Sequence, residues 1–221
     1  RQALTLAEQP KKMIIVGSGA IGIEFAYFYH SMGTEVTVVE FMPNIVPVED
    51  EEISKQLEKS FKKLGINVMT SSEVTKVDTS GKGVKAYVKT AKGEEVLEAD
   101  ILLSAVGIKT NIENIGLEAV GIKTERDKIQ VNEFYQTNVP GYYAIGDVVP
   151  GQALAHVASA EGILCVEKIK GLHVEPINYG NIPGCTYCTP EIASVGLTEK
   201  QAKEKGYEIK VGKFPFTASG K

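Results

Sequence analysis

Residues 11–40, KKMIIVGSGAIGIEFAYFYHSMGTEVTVVE, restrict the folds open to this chain more than any other stretch. KKMIIVG is a short, continuous apolar run closing on glycine, the composition of a strand buried on both faces. Residues 20–32 follow without proline, and Gly33 stands where a helix-terminating glycine belongs. EVTVVE (35–40) is short and β-branched, a second strand. Strand, helix and strand in about 30 residues make a βαβ unit, hence a parallel sheet with a right-handed crossover.

Inside that unit, Gly17-Ser18-Gly19-Ala20-Ile21-Gly22 fits G-x-G-x-x-G. Alone, such a match describes any tight strand-to-helix turn. Here it follows a buried strand, opens a helix, and is answered by Glu40, which ends the second strand 18 residues after Gly22. Gly17 would permit the turn, Gly19 would let the backbone approach a pyrophosphate, and Gly22 would let helix and sheet approach closely. The helix N-terminus offers N–H groups and partial positive charge to the phosphates. Glu40 would accept hydrogen bonds from the adenosine ribose. A carboxylate there would repel a 2′-phosphate, favouring NAD over NADP, so Glu40→Arg is expected to shift preference toward NADP.

The rest of the chain predicts an α/β fold. Residues 49–64 place Ile53, Leu57, Phe61 and Leu64 on one helical face, with Glu49, Asp50, Glu51 and Glu52 at its start and Lys62 and Lys63 at its end, as the helix dipole favours. INVMT (66–70) reads as a third strand, residues 73–98 as an antiparallel meander, and ADILLSAVG (99–107) as another fully buried strand. Residues 111–122 are irregular or loosely helical, and 128–147 carry two short strands around a turn at 138–141. A long helix is expected over 153–170, then a Pro/Gly/Asn-rich linker at 176–184, and a short charged helix capped by Thr198.

Net charge of −4 and a pI near 5.6 give no electrostatic footprint for nucleic acid or an anionic membrane. No apolar run approaches the ~18 residues that span a bilayer. Three cysteines are too few for a secreted disulfide scaffold and suit a reducing compartment. Cys185 and Cys188, in CTYC, invite a redox or zinc reading. On a strand, however, residues three apart diverge, and no second Cys or His pair completes a metal site; two ordinary thiols are expected, with no metal bound. The chain begins without Met and stops straight after KVGKFPF, so it is expected to be part of something longer.

TNVPGYYAIGDVV (137–149) on its own is a hairpin closing on a Gly-Asp turn, although a strand ending in a carboxylate is also how a sheet end meets a ribityl or ribose hydroxyl. Together with residues 13–40, LAHVASAEGILCVEKIKG (154–171) and CTPEIASVGLTE (188–199), in this order and spacing, it resembles the flavoprotein disulfide reductases, and among them most nearly the dihydrolipoamide dehydrogenases. That resemblance covers essentially the whole chain. It implies a Rossmann-like NAD-binding domain (residues 1–110), the returning part of an FAD domain (111–177) and the beginning of an α+β dimerisation domain (178–221). It implies an NAD site at Gly17, Ser18, Gly19, Ala20, Ile21, Gly22, Ile23, Glu24, Glu40, Val74 and Gly107, with Glu24 toward the nicotinamide. FAD contacts are implied at Asp147 on the ribityl chain and at Ala153, Leu154, Ala155 and His156 near the flavin ring. The family reads Gly-Arg-x-Pro-Asn where this chain has Gly107-Ile108-Lys109-Thr110-Asn111, so arginine and proline are both missing.

The family's redox C-x4-C and its His–Glu base lie outside this window. No catalytic residue is therefore expected here, and no lipoamide turnover by these residues alone. His30 reads as an exposed helix residue, His173 as a loop residue, and His156 as the only histidine near a ligand. The implied parent is a homodimer oxidising dihydrolipoamide carried on an acyltransferase of 2-oxoacid dehydrogenase or glycine cleavage complexes, in cytoplasm or mitochondrial matrix. Two other readings stay open: another NADH-linked flavoprotein disulfide reductase or NADH oxidase, and a non-catalytic nucleotide-binding module.

Overall fold

A computed structural model describes residues 2–216. The chain divides into two compact units, Arg1–Gly107 with Pro183–Lys221, and Ile108–Ile182.

The first unit is built on a four-stranded parallel sheet, β1 (Lys12–Val16), β2 (Glu35–Val39), β3 (Asn67–Met69) and β7 (Ile101–Ser104), in the order β3-β2-β1-β7. Between these strands run α1 (Ala20–Ser31), α2 (Glu51–Leu64) and an antiparallel sheet of β4 (Glu73–Asp78), β5 (Val84–Thr90) and β6 (Gly93–Ala99). The apolar run in β1 has a simple cause. Met13 and Ile15 join α1 and α2 in one buried cluster around Ile23, Leu57 and Phe61, while Ile14 turns to the opposite face, against Val39, Ala86 and Val88. Successive side chains alternate faces, and both faces are covered from Met13 onward, so every position from Met13 to Val16 must be apolar. The expected fold class, a parallel sheet with an antiparallel meander, is the one observed.

Three expectations need correction. Strand β7 is only partly buried, because it is the sheet's edge and pairs with β1 alone. On α2 the buried residues are Ser54, Leu57 and Phe61, whereas Ile53 and Leu64 are each 43% exposed. The apolar stripe is wider than the face the sheet covers. Around the turn at 138–141, two strands reduce to one isolated bridge, Gln136 with Tyr143. Proline at 140 and a chain reversal bonded through Tyr142 N to Val139 O leave too few residues for a ladder.

The second unit holds α3 (Leu117–Val120), a hairpin of β8 (Thr124–Glu125) and β9 (Lys128–Ile129), and the 15-residue α4 (Ala155–Ile169). Its cores are small: one around Ile112, Leu117 and Ile129, the other around Tyr135, Leu164 and Cys165. Thr110, standing where the resembled family has proline, uses its N–H to donate to Asp127 Oδ2 at 3.2 Å. A proline could not make that bond.

The returning segment of the first unit forms a hairpin, β10 (Gly184–Thr186) with β11 (Ile192–Ser194), followed by α5 (Glu199–Glu204). Thr198 caps α5 with a full capping box, its hydroxyl accepting from Gln201 N while Gln201 accepts from Thr198 N.

Candidate functional site

The glycine loop joins β1 to α1, and space dictates glycine at two of its three glycine positions. Gly17 has φ +96°, and a Cβ there would stand 2.6 Å from the Ala105 carbonyl oxygen at the end of β7. A Cβ on Gly22 would stand 2.1 Å from the Gly17 carbonyl oxygen. At Gly19 a Cβ would meet nothing within 4 Å, so the protein itself gives no reason for glycine there. That is what an open phosphate approach requires. Gly19 is also the N-cap of α1 and supplies no side-chain cap, leaving the first N–H groups, at Ala20, Ile21 and Gly22, directed out of the helix end. Ile23 is fully buried in the core below.

Glu40 directly follows β2 and is 7% exposed. Its Oε2 accepts from Ser18 N at 2.8 Å and Ser18 Oγ at 2.6 Å, and its Oε1 accepts from Met42 N at 2.7 Å. A carboxylate has about four lone-pair sites, so one acceptor position remains at Oε1. The acid therefore fixes the loop as well as the strand end, a double duty that the spacing did not reveal. The chain after β3 closes on the same place, since Ser72 N donates to Glu40 O at 2.9 Å. Val74 follows in β4, partly buried beside Val39 and Val88. Gly107, at φ +141°, lies just beyond Ala105 and Val106, whose backbone abuts Gly17. The nucleotide candidates of this unit thus converge on one end of the parallel sheet.

Glu24, one turn into α1, does not stand free in solvent. Its Oε1 accepts from Tyr187 N at 2.9 Å, tying α1 to the turn after β10. Thr189 Oγ1 reinforces that seam by donating to Tyr27 Oη at 2.7 Å. Cys185 is exposed on β10, while Cys188 lies past the strand end, 4% exposed in the main core. Both thiols are free, and burial pushes the Cys188 thiol up to about 11. The expected divergence is seen, although a turn rather than a strand produces it. Among the described residues no cluster of three or more His, Cys, Asp or Glu side chains could hold a metal ion.

In the second unit Asp147 sits in a single helical turn, Gly146–Val148, with its side chain exposed. Among the described residues no hydrogen bond engages its carboxylate; Lys128 Nζ reaches only its main-chain oxygen, at 2.5 Å. Ala153 and Leu154 precede α4 rather than beginning it, and Leu154 is an N-cap without a side-chain cap. Ala155 and His156 open the helix and are exposed. Of the other histidines, His30 is half-buried in the last turn of α1 and His173 lies exposed beside Glu175 Oε1 at 3.2 Å.

Glu161 on α4 was not legible as a site residue, yet it is the most buried acid of the chain's described residues, at 1% exposure. Its oxygens accept from Gly146 N at 2.6 Å and Tyr179 Oη at 2.5 Å. Nothing local in ASAEG announces either partner.

Known proteins give this geometry a context. The family model described as pyridine nucleotide-disulphide oxidoreductase matches residues 1–162, and the dimerisation-domain model of the same family matches residues 182–221. The chain is 53% identical to a dihydrolipoyl dehydrogenase of Rhizobium etli, over 100% of this chain and 46% of that protein. It is 46% identical to a mitochondrial dihydrolipoyl dehydrogenase of Pisum sativum, over 99% of this chain and 44% of the relative. A leghemoglobin reductase of Glycine max is 45% identical over 99% of the chain and 42% of its own length. Among solved structures, an HOCl-induced flavoprotein disulfide reductase from Escherichia coli superposes with a TM-score of 0.88 at 27% identity, covering 98% of this chain and 49% of the other. The chain thus spans about half the length of the curated relatives it matches. Two matching family models, whole-chain identity near one half and the glycine-loop geometry together establish that the chain belongs to the pyridine nucleotide-disulphide oxidoreductase family.

Proposed function

We propose that this chain supplies the NAD site and part of the FAD site of a dihydrolipoamide dehydrogenase, which passes electrons from dihydrolipoamide through a protein disulfide and flavin to NAD. The observation that carries the reading is the glycine loop. Its two crowded glycines are explained by packing, and its one uncrowded glycine, Gly19, is left to be explained by a ligand. A pyrophosphate fits there, facing the uncapped start of α1. Glu40 retains one acceptor position for a ribose hydroxyl and brings negative charge against a 2′-phosphate, which favours NAD over NADP.

The fit for flavin rests on the second unit. Asp147 offers a carboxylate without a hydrogen-bond partner among the described residues, two residues before Val149 enters the core. Residues 153–156 bring an uncapped helix start. Bound flavin would supply two-electron transfer between thiols and nicotinamide. The chain's own residues bind and orient: Asp147 would hold the ribityl hydroxyls, and Ala153 to His156 would lie along the ring. Ser18 to Ile23 would hold the dinucleotide, with Glu24, Val74 and Gly107 completing that site. None of these groups is asked to move a proton.

The domain division of the same reading is residues 1–110, 111–177 and 178–221, supported by the compact unit at Ile108–Ile182 and the dimerisation match at 182–221. That match also supports a homodimer. An acyltransferase partner carrying the lipoyl group and a place in cytoplasm or mitochondrial matrix belong to the same reading, which the dihydrolipoyl dehydrogenase names of the relatives support; the pea relative is mitochondrial by name. The test uses the full-length protein that contains this chain. Visible flavin absorbance and NADH formation dependent on dihydrolipoamide are expected. A flavin-containing product that oxidises NADH without lipoamide turnover would move the assignment to another member of the family.

A further inference from the structure

We propose that Glu161 is a positioning residue for the flavin-binding loop: its buried carboxylate, braced by Tyr179, fixes the Gly146 N–H and so the place from which Asp147 reaches the ribityl chain. The inference rests on the flavoprotein reading above and adds a residue to it.

Glu161 lies on the inward face of α4, and among the described residues its partners include no cation. Buried carboxylates are costly unless their lone pairs are used. Here the partners are a backbone N–H and a phenol. Tyr179 donates to Glu161 Oε1, so the 3.1 Å contact between the Tyr135 and Tyr179 hydroxyls has Tyr135 as its donor. The result is a chain running from Tyr135 through Tyr179 to Glu161 and ending on Gly146. Burial, followed by the Glu161 contact, pushes the Tyr179 hydroxyl far above its ordinary value, so it stays a donor across the working range.

The loop leaves little slack above this chain. Gly146 has φ +74°, and a Cβ on it would come within 3.2 Å of the Ala158 side chain; Gly162, one residue after Glu161, sits 3.1 Å by the same measure from Ile145 Cδ1. At the other end of the loop, a Cβ on Gly151 would meet the Tyr179 ring at 3.0 Å. The Glu161–Tyr179 pair therefore grips both ends of residues 146–151, with Asp147 between them. Without the carboxylate, the Gly146 N–H would lose its acceptor and the turn its anchor, although Asp147 itself would be unchanged.

Three variants of the full-length protein test this: Glu161→Gln, Glu161→Leu and Tyr179→Phe. The readouts are FAD dissociation constants from titration of the apoprotein, the visible flavin spectrum, and NADH affinity, which reports on the other unit. Glu161→Leu strands two donors and is expected to weaken FAD binding by about tenfold or more. Glu161→Gln keeps an acceptor for Gly146 and reverses the Tyr179 contact, so it should stay within about threefold of wild type. Tyr179→Phe removes the brace alone and should cost about threefold, with a shifted flavin spectrum. NADH affinity should not change in any of them. A folded Glu161→Leu protein with wild-type FAD affinity overturns the proposal, as does a Glu161→Gln variant no better than Glu161→Leu. If Glu161→Leu does not fold, Tyr179→Phe decides, and unchanged FAD affinity there is equally fatal. A wild-type protein that takes up no FAD removes the flavoprotein reading itself, and this proposal with it.

Discussion

At Gly22 a methyl group would stand 2.1 Å from a backbone oxygen, whereas at Gly19 it would meet nothing within 4 Å. This contrast separates folding from binding within one motif. Gly22→Ala must displace the loop or the helix, so a loss of several degrees in melting temperature is expected, with NADH binding lost alongside. Gly19 has φ −64° and ψ 178°, which alanine adopts freely, so Gly19→Ala should leave stability unchanged or raise it by about 0.4–1 kcal/mol. Its NADH affinity should nevertheless fall about tenfold, because the methyl group occupies the pyrophosphate approach. A melting curve and a fluorescence titration on each variant check both halves; unchanged NADH affinity in Gly19→Ala would remove the phosphate role. Cys188 offers a second residue-scale test. Its thiol is raised from an ordinary 9.0 to about 11 by burial first, then by Glu24 and Glu191. A raised folded value stabilises below the unfolded one and is lost as pH rises. Stability should fall between about pH 9 and 11, and Cys188→Ser should flatten that part of the curve; Cys185, exposed, should react with thiol reagents well before Cys188. The glycines and Glu40 were readable in the sequence because their meaning is local, set by spacing along one βαβ unit. Ser18 as the partner of Glu40, and Glu161 as the anchor of Gly146, were not, since such pairings join residues 22 and 15 positions apart that carry no shared periodicity.

Element ends in this protein are decided by side chains that serve two elements at once. Asp50 is the N-cap of α2, accepting from Glu52 N at 3.2 Å through Oδ1, while its Oδ2 accepts from Glu199 N at 3.0 Å at the start of α5. The Glu199 and Glu52 N–H groups together hold the Asp50 carboxyl below its ordinary 3.8. A depressed value stabilises above the unfolded one and is lost as pH falls through the folded one. Asp50→Ala is therefore expected to cost about 1–2 kcal/mol at neutral pH and progressively less below about pH 4, with Asp50→Asn falling between. Equilibrium urea unfolding at several pH values measures this, and a pH-independent deficit would contradict it. The acidic run of residues 49–52 did announce a helix start, although it could not say which acid was the cap. The apolar stripe on α2 likewise announced a buried face but not its width. Ile53 lines a cavity of about 450 Å³ together with Val48, Ile192, Val195 and Phe216, the last three at least 139 positions away in sequence. Periodicity reports that a face exists; what covers it is a tertiary fact.

Over the whole molecule, the proposed function makes what the chain can do depend on which binding and redox groups it holds. In the first unit the glycine loop, Glu40 and the Ser72 segment meet at one sheet end and need no residue of the second unit to form. The second unit presents Asp147, but its α4 leaves Ile163, Val166 and Ile169 at least 55% exposed, spaced three apart along one flank. A stripe of that kind is unusual on a finished surface. The 221 residues contain cysteines at 165, 185 and 188 only, two of them buried and none in a C-x4-C spacing, so no dithiol is placed to receive electrons from a thiol substrate. The purified chain is therefore expected to bind NADH, to prefer it over NADPH, to take up FAD weakly, and to light up an apolar-surface dye that the full-length protein does not. It should form no NADH from dihydrolipoamide at any FAD concentration. Binding and turnover come apart in this way only if the nucleotide site is complete within one unit while the proposed thiol chemistry needs groups that these 221 residues do not hold. Turnover by the 221-residue chain would show that one of its three cysteines accepts electrons by a route the buried, separated thiols do not suggest, and loss of NADH binding would show that the glycine loop needs more of the protein than β1, α1 and β2 provide.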